Sequence, residues 1–371
     1  MIDRLEGGGA QKVLFNIIKN LSRDKFEIHL FSLLQEGYYS NQIPVDVFHW
    51  SLFHNPENMP KGFSFLYRFY RRILFFLFRQ YPSLIAFFVK INQNYDFGIS
   101  FCEGYNTSLL KFKKNHFKKT IAWVHIDICL SKEKIAQKCF QNYSTSFDEI
   151  FFVSNDAYYA FIKKYPQFER KTHLKVVYNP IDVDEIVLRS NDYVVGDNEF
   201  VLLAIGRLSE QKRFDKLINV HKRLVDSGLM HCVWILGEGD KQKELEDQIK
   251  RLEVENTCIL LGFQNPYPYL KRADIFVMTS DYEGLPVVIC EAMILHKPIL
   301  STKITGSVEL LENGKYGMLV EKEEEAIFRG LSEMLMNKEL RDHYSLALQE
   351  NKDSFIFPTT TQSIEDLLLF L

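Results

Sequence analysis

The chain has 371 residues, a length that suits two ordinary domains, and its 46% hydrophobic and 25% charged residues give each half material for a core. The net charge of -3 hides an imbalance: residues 1–190 carry 25 Lys+Arg against 18 Asp+Glu, the remainder 20 against 30, so the two halves are expected to meet different partners. A slightly acidic chain with no low-complexity tract, fixed-period repeat or nucleic-acid motif argues against disorder, a repeat array and nucleic-acid binding.

In chain order, only "MID" precedes "RLEGGG", and Gly7, Gly8 and Gly9 lead into an amphipathic helix from Gln11. "FEIHLFSLL", "YDFGISFCEG", "TIAWVHID" and "EIFFVSN" read as strands, with helices predicted over "KEKIAQKCF" and "DAYYAFIKKYP". Between them, "KGFSFLYRFYRRILFFLFRQYPSLIAFFVK" (61–90) has six bases and no acid, and 111–119 adds five lysines. Such stretches suit an anionic bilayer surface, the competing reading being an aromatic helix packed into the first domain. "LKVVYNPID" closes a domain over 1–185, and "RSNDYVVGDNE" reads as a linker.

The second domain, 192–356, alternates more cleanly. "EFVLLAIGRL", "HCVWILGEGD", "CILLGF", "DIFVMTS", "PILST" and "GMLV" are apolar strands, several ending at glycine. The helical segments "RFDKLINVHKRLVDSG", "KQKELEDQIKRLEV", "PYPYLKRA", "GLPVVICEAMILHK" and "GSVELLENG" separate them. That alternation implies doubly wound parallel sheets. The tail 357–371 is expected to be a helix returning to the first domain. No apolar leader and no uncharged apolar run of ~18 residues is present, so the expected location is cytoplasmic, peripheral on the inner face of the membrane if the basic stretches bind there. The six cysteines are scattered without CxxC spacing, so no zinc site and a reducing compartment are expected.

The blocks "EGGGAQKVLFNIIKNL", "WVHID", "YNPID", "AIGRLSEQKRFDKLI", "ILGEGD", "LGFQNPYPYLKRADIFVMTSDYEGLPVVICEAM" and "ENGKYGMLV" resemble, in order and over nearly the whole chain, the group 1 (family 4) retaining glycosyltransferases. The likeness is to their bacterial surface-polysaccharide branch. The resemblance implies an α/β fold of two Rossmann-like doubly wound domains facing across a cleft (GT-B type). It also implies transfer of a sugar from a nucleotide sugar, a UDP-hexose or UDP-N-acetylhexosamine, to a growing, lipid-linked saccharide acceptor.

The motifs have a physical reading in that setting. In "DYEGLPVVICEAM", Gly284 permits a tight turn, and Pro286 suits a first helical position because its missing N–H would be unpaired there. The helix mouth then offers N–H groups to a diphosphate. The resemblance gives Glu283 to sugar hydroxyls and Glu291, about two turns on, to the ribose, with Gly284 and Leu285 in the donor-binding set. Arg207 and Lys212, just past a strand end, correspond to the family's phosphate-binding pair, where two cations offset charge on the departing diphosphate. Arg213 reads as a surface residue. Gly8 and Gly9 bring backbone amides to the donor. His125 stands where the family places a histidine that hydrogen-bonds the transferred sugar. Glu103 is expected to face the acceptor, Asp127 to orient His125 or contact the acceptor, and Gln264 is the expected nucleobase contact. No cofactor and no catalytic metal are expected, the nucleotide sugar being a co-substrate.

The family opens with a full apolar strand where this sequence has only "MID", so the reading requires an upstream start or neighbouring elements in the gap. The competing functions are a nucleotide-sugar epimerase on the same fold and a non-catalytic sugar-nucleotide-binding subunit of a polysaccharide assembly complex.

Overall fold

A computed structural model describes residues 1–56, 59–127, 130, 146–168, 173–196, 199–351 and 361–371. The helix predicted over 132–140, Cys129 and Cys139, and parts of the expected linker and tail lie outside them. The chain forms two compact units, Met1–Pro180 with Thr359–Leu371, and Ile181–Pro358.

In the first unit β1 (His29–Leu34) pairs in parallel with β2 (Phe48–Phe53). A parallel sheet follows with β3 (Tyr95–Phe101), β4 (Phe117–Val124), β5 (Glu149–Phe152) and β6 (His173–Val176) in that order. Residues 1–3 lie between the two sheets and join them. Ile2 N–H donates to Phe31 O (2.9 Å) and Leu33 N–H to Ile2 O (3.0 Å) on one side, and Phe101 N–H donates to Met1 O (2.8 Å) on the other. Ile2 and Leu5 are fully buried, so this short segment occupies the centre of the sheet that the sequence leaves unfilled. The edge strand β2 has no counterpart in the sequence reading. The helix Lys61–Gln80 sends Leu74 and Phe78 into the core while Phe63, Phe65, Leu66, Phe69 and Phe76 stay exposed, so most of its aromatic surface is not packed. Lys114 and Lys118 of the second basic stretch pair with Asp148 and Asp96. The terminal helix Thr361–Phe370 is tied to this unit by Glu365, which accepts from Ser22 N–H (2.5 Å) and pairs with Lys25 (3.2 Å).

In the second unit β7 (Val201–Ile205), β8 (Cys232–Leu236), β9 (Cys258–Gly262), β10 (Ile275–Met278), β11 (Ile299–Thr302) and β12 (Met318–Val320) form one parallel sheet ordered β12-β11-β10-β7-β8-β9. Strand side chains alternate between faces, so each strand feeds two cores. Leu202 and Ala204 join Phe214, Leu217 and Leu224 on one side, and Val201 and Leu203 join Ile289, Ala292 and Met293 on the other. Each such buried Leu or Ile contributes about 1.5–3 kcal/mol. The helices Glu324–Met336 and Lys338–Glu350 are additions to the sequence reading. The first buries Ile327, Leu331 and Met334, spaced for one face, and the second starts at Asn337, whose side chain accepts from Leu340 N–H (3.0 Å). Among the described residues no helix is long and apolar enough to cross a membrane.

Candidate functional site

The strand order of the second unit reverses between β7 and β10, which are hydrogen-bonded neighbours. Ligands of doubly wound sheets bind outside the carboxyl ends of strands at such a switch point. Two loops leave the sheet there, 206–213 after β7 and 279–286 after β10, and they are laced together. Asp281 N–H donates to Gln211 O (2.9 Å), Gln211 Nε2 to Tyr282 O (2.7 Å), and Thr279 Oγ1 to Lys212 O (2.9 Å). Lys212 and Glu283, expected on the sequence to share a site, meet across the loops: Nζ lies 2.6 Å from Oε1, with both side chains 14% exposed. A Cβ on Gly206 would come 2.8 Å from Lys212 Cε, so the missing side chain is what lets the lysine lie back over the strand end. Arg207, on the same loop, is exposed.

The turn before the helix Val287–Ile294 differs in detail from the sequence reading. Pro286 is the residue ahead of the helix, in an extended conformation, and Val287 opens it without a side-chain cap. Gly306 packs against this turn at φ +80°, where a Cβ would lie 2.3 Å from Gly284 O. Only glycine fits there, and nothing in the sequence spacing marks it. Leu285 is buried, and Glu291 is 2% exposed within the helix.

Two other assignments change. Arg213 is not a surface residue: it takes a left-handed φ of 52° and pairs with Asp215 (2.8 Å) and Asp281 (3.3 Å), which raise its pKa. It pins the start of the helix Phe214–Asp226 to the β10 loop. Gln264 is engaged at both ends of its amide, donating to Leu261 O (2.8 Å) and accepting from Tyr269 OH (2.9 Å). It braces its loop through these two bonds.

In the first unit His125 follows β4. Its ring packs against Phe101 (centroids 4.4 Å) and Trp123 (5.8 Å), and its Nε2 is buried without a hydrogen-bond partner among the described residues. Burial pushes its pKa down to about 3, so the imidazole is neutral. Glu103, expected to face an acceptor, turns inward and accepts from the backbone N–H groups of His125 (2.6 Å) and Ile126 (3.0 Å), fixing the strand end. Asp127 is buried and accepts from Leu130 N–H (3.2 Å). Gly8 precedes the helix Gly9–Asn20, which starts without a side-chain cap.

Residues 189–350 match the family described as Glycosyl transferases group 1. Over 356 residues the chain is 28% identical to the N-acetylgalactosamine-N,N'-diacetylbacillosaminyl-diphospho-undecaprenol 4-alpha-N-acetylgalactosaminyltransferase of Campylobacter jejuni, covering 92% of this chain and 90% of that one. It is 32% identical to an uncharacterized glycosyltransferase of Methanocaldococcus jannaschii over 49% of this chain, which spans about half (54%) of that relative. Among solved structures, HepE of Anabaena in complex with UDP-glucose superposes with a TM-score of 0.71 at 21% identity, over 100% of this chain and 98% of that one. This likeness shows the fold, two Rossmann-like α/β domains of the GT-B type.

Proposed function

Because residues 189–350 belong to the group 1 glycosyltransferases, we propose that the chain transfers a hexose or N-acetylhexosamine from a UDP-sugar to a growing, lipid-linked surface saccharide with retention of configuration. The observation that carries the reading is the Lys212–Glu283 pair at the switch point of the second sheet. Support for the acceptor is the undecaprenol-diphosphate-linked substrate in the name of the Campylobacter jejuni relative, which is alike over 92% of the chain.

In this reading the donor's diphosphate lies at the mouth of the helix Val287–Ile294. Arg207 and Lys212 offset the charge that grows on the departing phosphate as the bond to the sugar breaks. Lys212 orients Glu283 through their ion pair, and Glu283 accepts from sugar hydroxyls, while Glu291 accepts from the ribose. His125, being neutral, hydrogen-bonds the sugar through the Nε2 that no group among the described residues engages. The amides of Gly8 and Gly9 complete the donor contacts. The departing phosphate takes the acceptor's proton, so no side-chain nucleophile is assigned, and the two cations make the reaction independent of metal. The work is done on the cytoplasmic face of the membrane, where nucleotide sugars are held.

A melting-shift panel of UDP-, GDP- and ADP-sugars tests the donor, since a ligand that binds only the folded chain raises its apparent stability. A UDP-sugar shift that Glu283→Ala abolishes is expected. No shift with any of the three classes would overturn the function.

A further inference from the structure

The first unit holds a cavity of about 610 Å³ that the donor reading does not use. Its size falls in the usual range for small-molecule sites, about 300–1,000 Å³. It opens at the carboxyl ends of three parallel strands. Arg4 follows residues 1–3, Leu34 ends β1 ahead of Glu36, and Asn55 and Pro56 follow β2. That edge is where ligands of doubly wound sheets sit. The helix Lys61–Gln80 supplies the remaining wall with Arg68, Arg71, Arg72 and Phe75.

Four arginines therefore line one space with a single lining carboxylate. Arg71 pairs with that carboxylate, Glu36, and Arg4 pairs with Glu6 (2.9 Å). Arg68 and Arg72 have no carboxylate partner among the described residues and are solvent-exposed. Like charges gathered without counter-charge repel one another, an arrangement that an anion of more than one charge relieves. The planar, always-charged fork of Arg matches phosphate oxygens in pairs.

The helix has three faces. Leu74 and Phe78, at i and i+4, enter the core. Arg68, Arg71, Arg72 and Phe75, at i, i+3, i+4 and i+7, line the cavity. Phe65, Phe69 and Phe76, at i, i+4 and i+11, form a third, exposed stripe (74%, 59% and 63%). A cationic cavity beside an exposed aromatic stripe matches a ligand with a multiply charged head and an apolar body, and the rings fit the interfacial layer of a bilayer.

We propose that this cavity binds the diphosphate of a lipid embedded in the bilayer, with the aromatic stripe of the same helix resting in the interface. The inference deepens the function proposed above and rests on its lipid-linked acceptor, whose diphosphate the cavity would hold.

Flotation of the full chain with phosphatidylcholine vesicles carrying a polyprenyl diphosphate tests it, against vesicles of equal charge made with phosphatidylserine. The diphosphate vesicles should bind more tightly. Arg68→Ala and Arg72→Ala should each weaken that binding by about tenfold, one lost charge-assisted contact apiece. Arg79→Ala, on the same helix but outside the cavity, should not. Equal binding to both vesicle types, or equal loss in all three variants, would reduce the cavity to general surface charge and overturn the inference. So would binding of free inorganic pyrophosphate, lost in the Arg68 and Arg72 variants, without preference for the lipid form. Donor binding by melting shift separates the two claims: a chain that takes a UDP-sugar but ignores the diphosphate lipid refutes this site and leaves the transferase standing.

Discussion

The Lys212–Glu283 pair can be tested for whether it is a site or a strut. At 2.6 Å and an effective dielectric of about 20, the gross attraction is about 6 kcal/mol. Both side chains are only 14% exposed, so desolvation offsets much of it. Lys212→Met or Glu283→Leu alone leaves the other charge half-buried and unpaired, which should cost about 2–4 kcal/mol, between the values for exposed and fully buried pairs. At about 2–4 °C per kcal/mol for a unit of this size, the single variants should melt about 4–16 °C low. The double variant removes both charges together and should recover to within about 1 kcal/mol of the parent. Activity should behave differently. If the lysine meets phosphate and the glutamate meets sugar, all three variants should lose about 100-fold or more in transfer, with no recovery in the double variant. Thermal melts and a radiolabelled transfer assay on the same preparations decide it. A double variant that regains transfer along with stability would show a purely structural pair and refute the reasoning.

Gly306→Ala should cost about 1–2 kcal/mol for the left-handed conformation alone, plus displacement of the Gly284 carbonyl 2.3 Å away. The UDP-sugar melting shift should disappear, and an unchanged shift would detach this residue from the donor turn. Burial holds the pKa of His125 down to about 3, and burial followed by the neighbouring His231 does the same for His221. Between that value and about 6.5 the unfolded chain binds one more proton per histidine. Stability is therefore full above about pH 6.5 and falls by about 1.4 kcal/mol per pH unit per histidine below it. Urea midpoints at pH 7.5, 6 and 5 measure this, and a flat profile contradicts the burial. Transfer should be unchanged by EDTA under conditions that strip divalent ions, and a loss restored by added Mn²⁺ would contradict the metal-independent mechanism.

The doubly wound plan was legible because its strands are written as uninterrupted apolar runs ended by glycine, and such runs need cover on both faces. The elements that escaped lack that signature. The strand Phe48–Phe53 lies at a sheet edge with mostly half-exposed side chains. The helix Glu324–Met336 opens on glutamates that look like a solvent loop, although Ile327, Leu331 and Met334 carry the helical spacing. Motif residues pointed to candidate side chains but not to what they touch. Lys212 and Glu283 are 71 positions apart, and their contact follows from the adjacency of β7 and β10, a property of the whole sheet. For the same reason Gln264 looked available and Arg213 looked peripheral. Whether an amide or a guanidinium is already engaged depends on Leu261, Tyr269, Asp215 and Asp281 once the loops fold.

The carboxyl edge of the first sheet shows how the fold distributes its own side-chain acceptors. Asp3 accepts from the first amides of the helix Tyr105–Phe112 (both 2.9 Å), Ser154 from Ala157 N–H (3.1 Å) at the start of Asn155–Lys164, and Glu103 from the strand end at His125. Those amides are therefore closed to an outside anion. The helix Gly9–Asn20 begins on the same edge at Gly8, which has no side chain to cap it, and its first turn carries the partial positive charge of a helix amino end. A buried imidazole nitrogen without a partner has a parallel logic. Leaving it unsatisfied costs about 1–3 kcal/mol, and Trp123 Nε1 beside it is unpaired as well. Glu103 holds the backbone that carries His125, while no side chain among the described residues satisfies Nε2 of its ring. The position of this nitrogen is thus fixed by the strand end, which is what the proposed contact with the sugar would require.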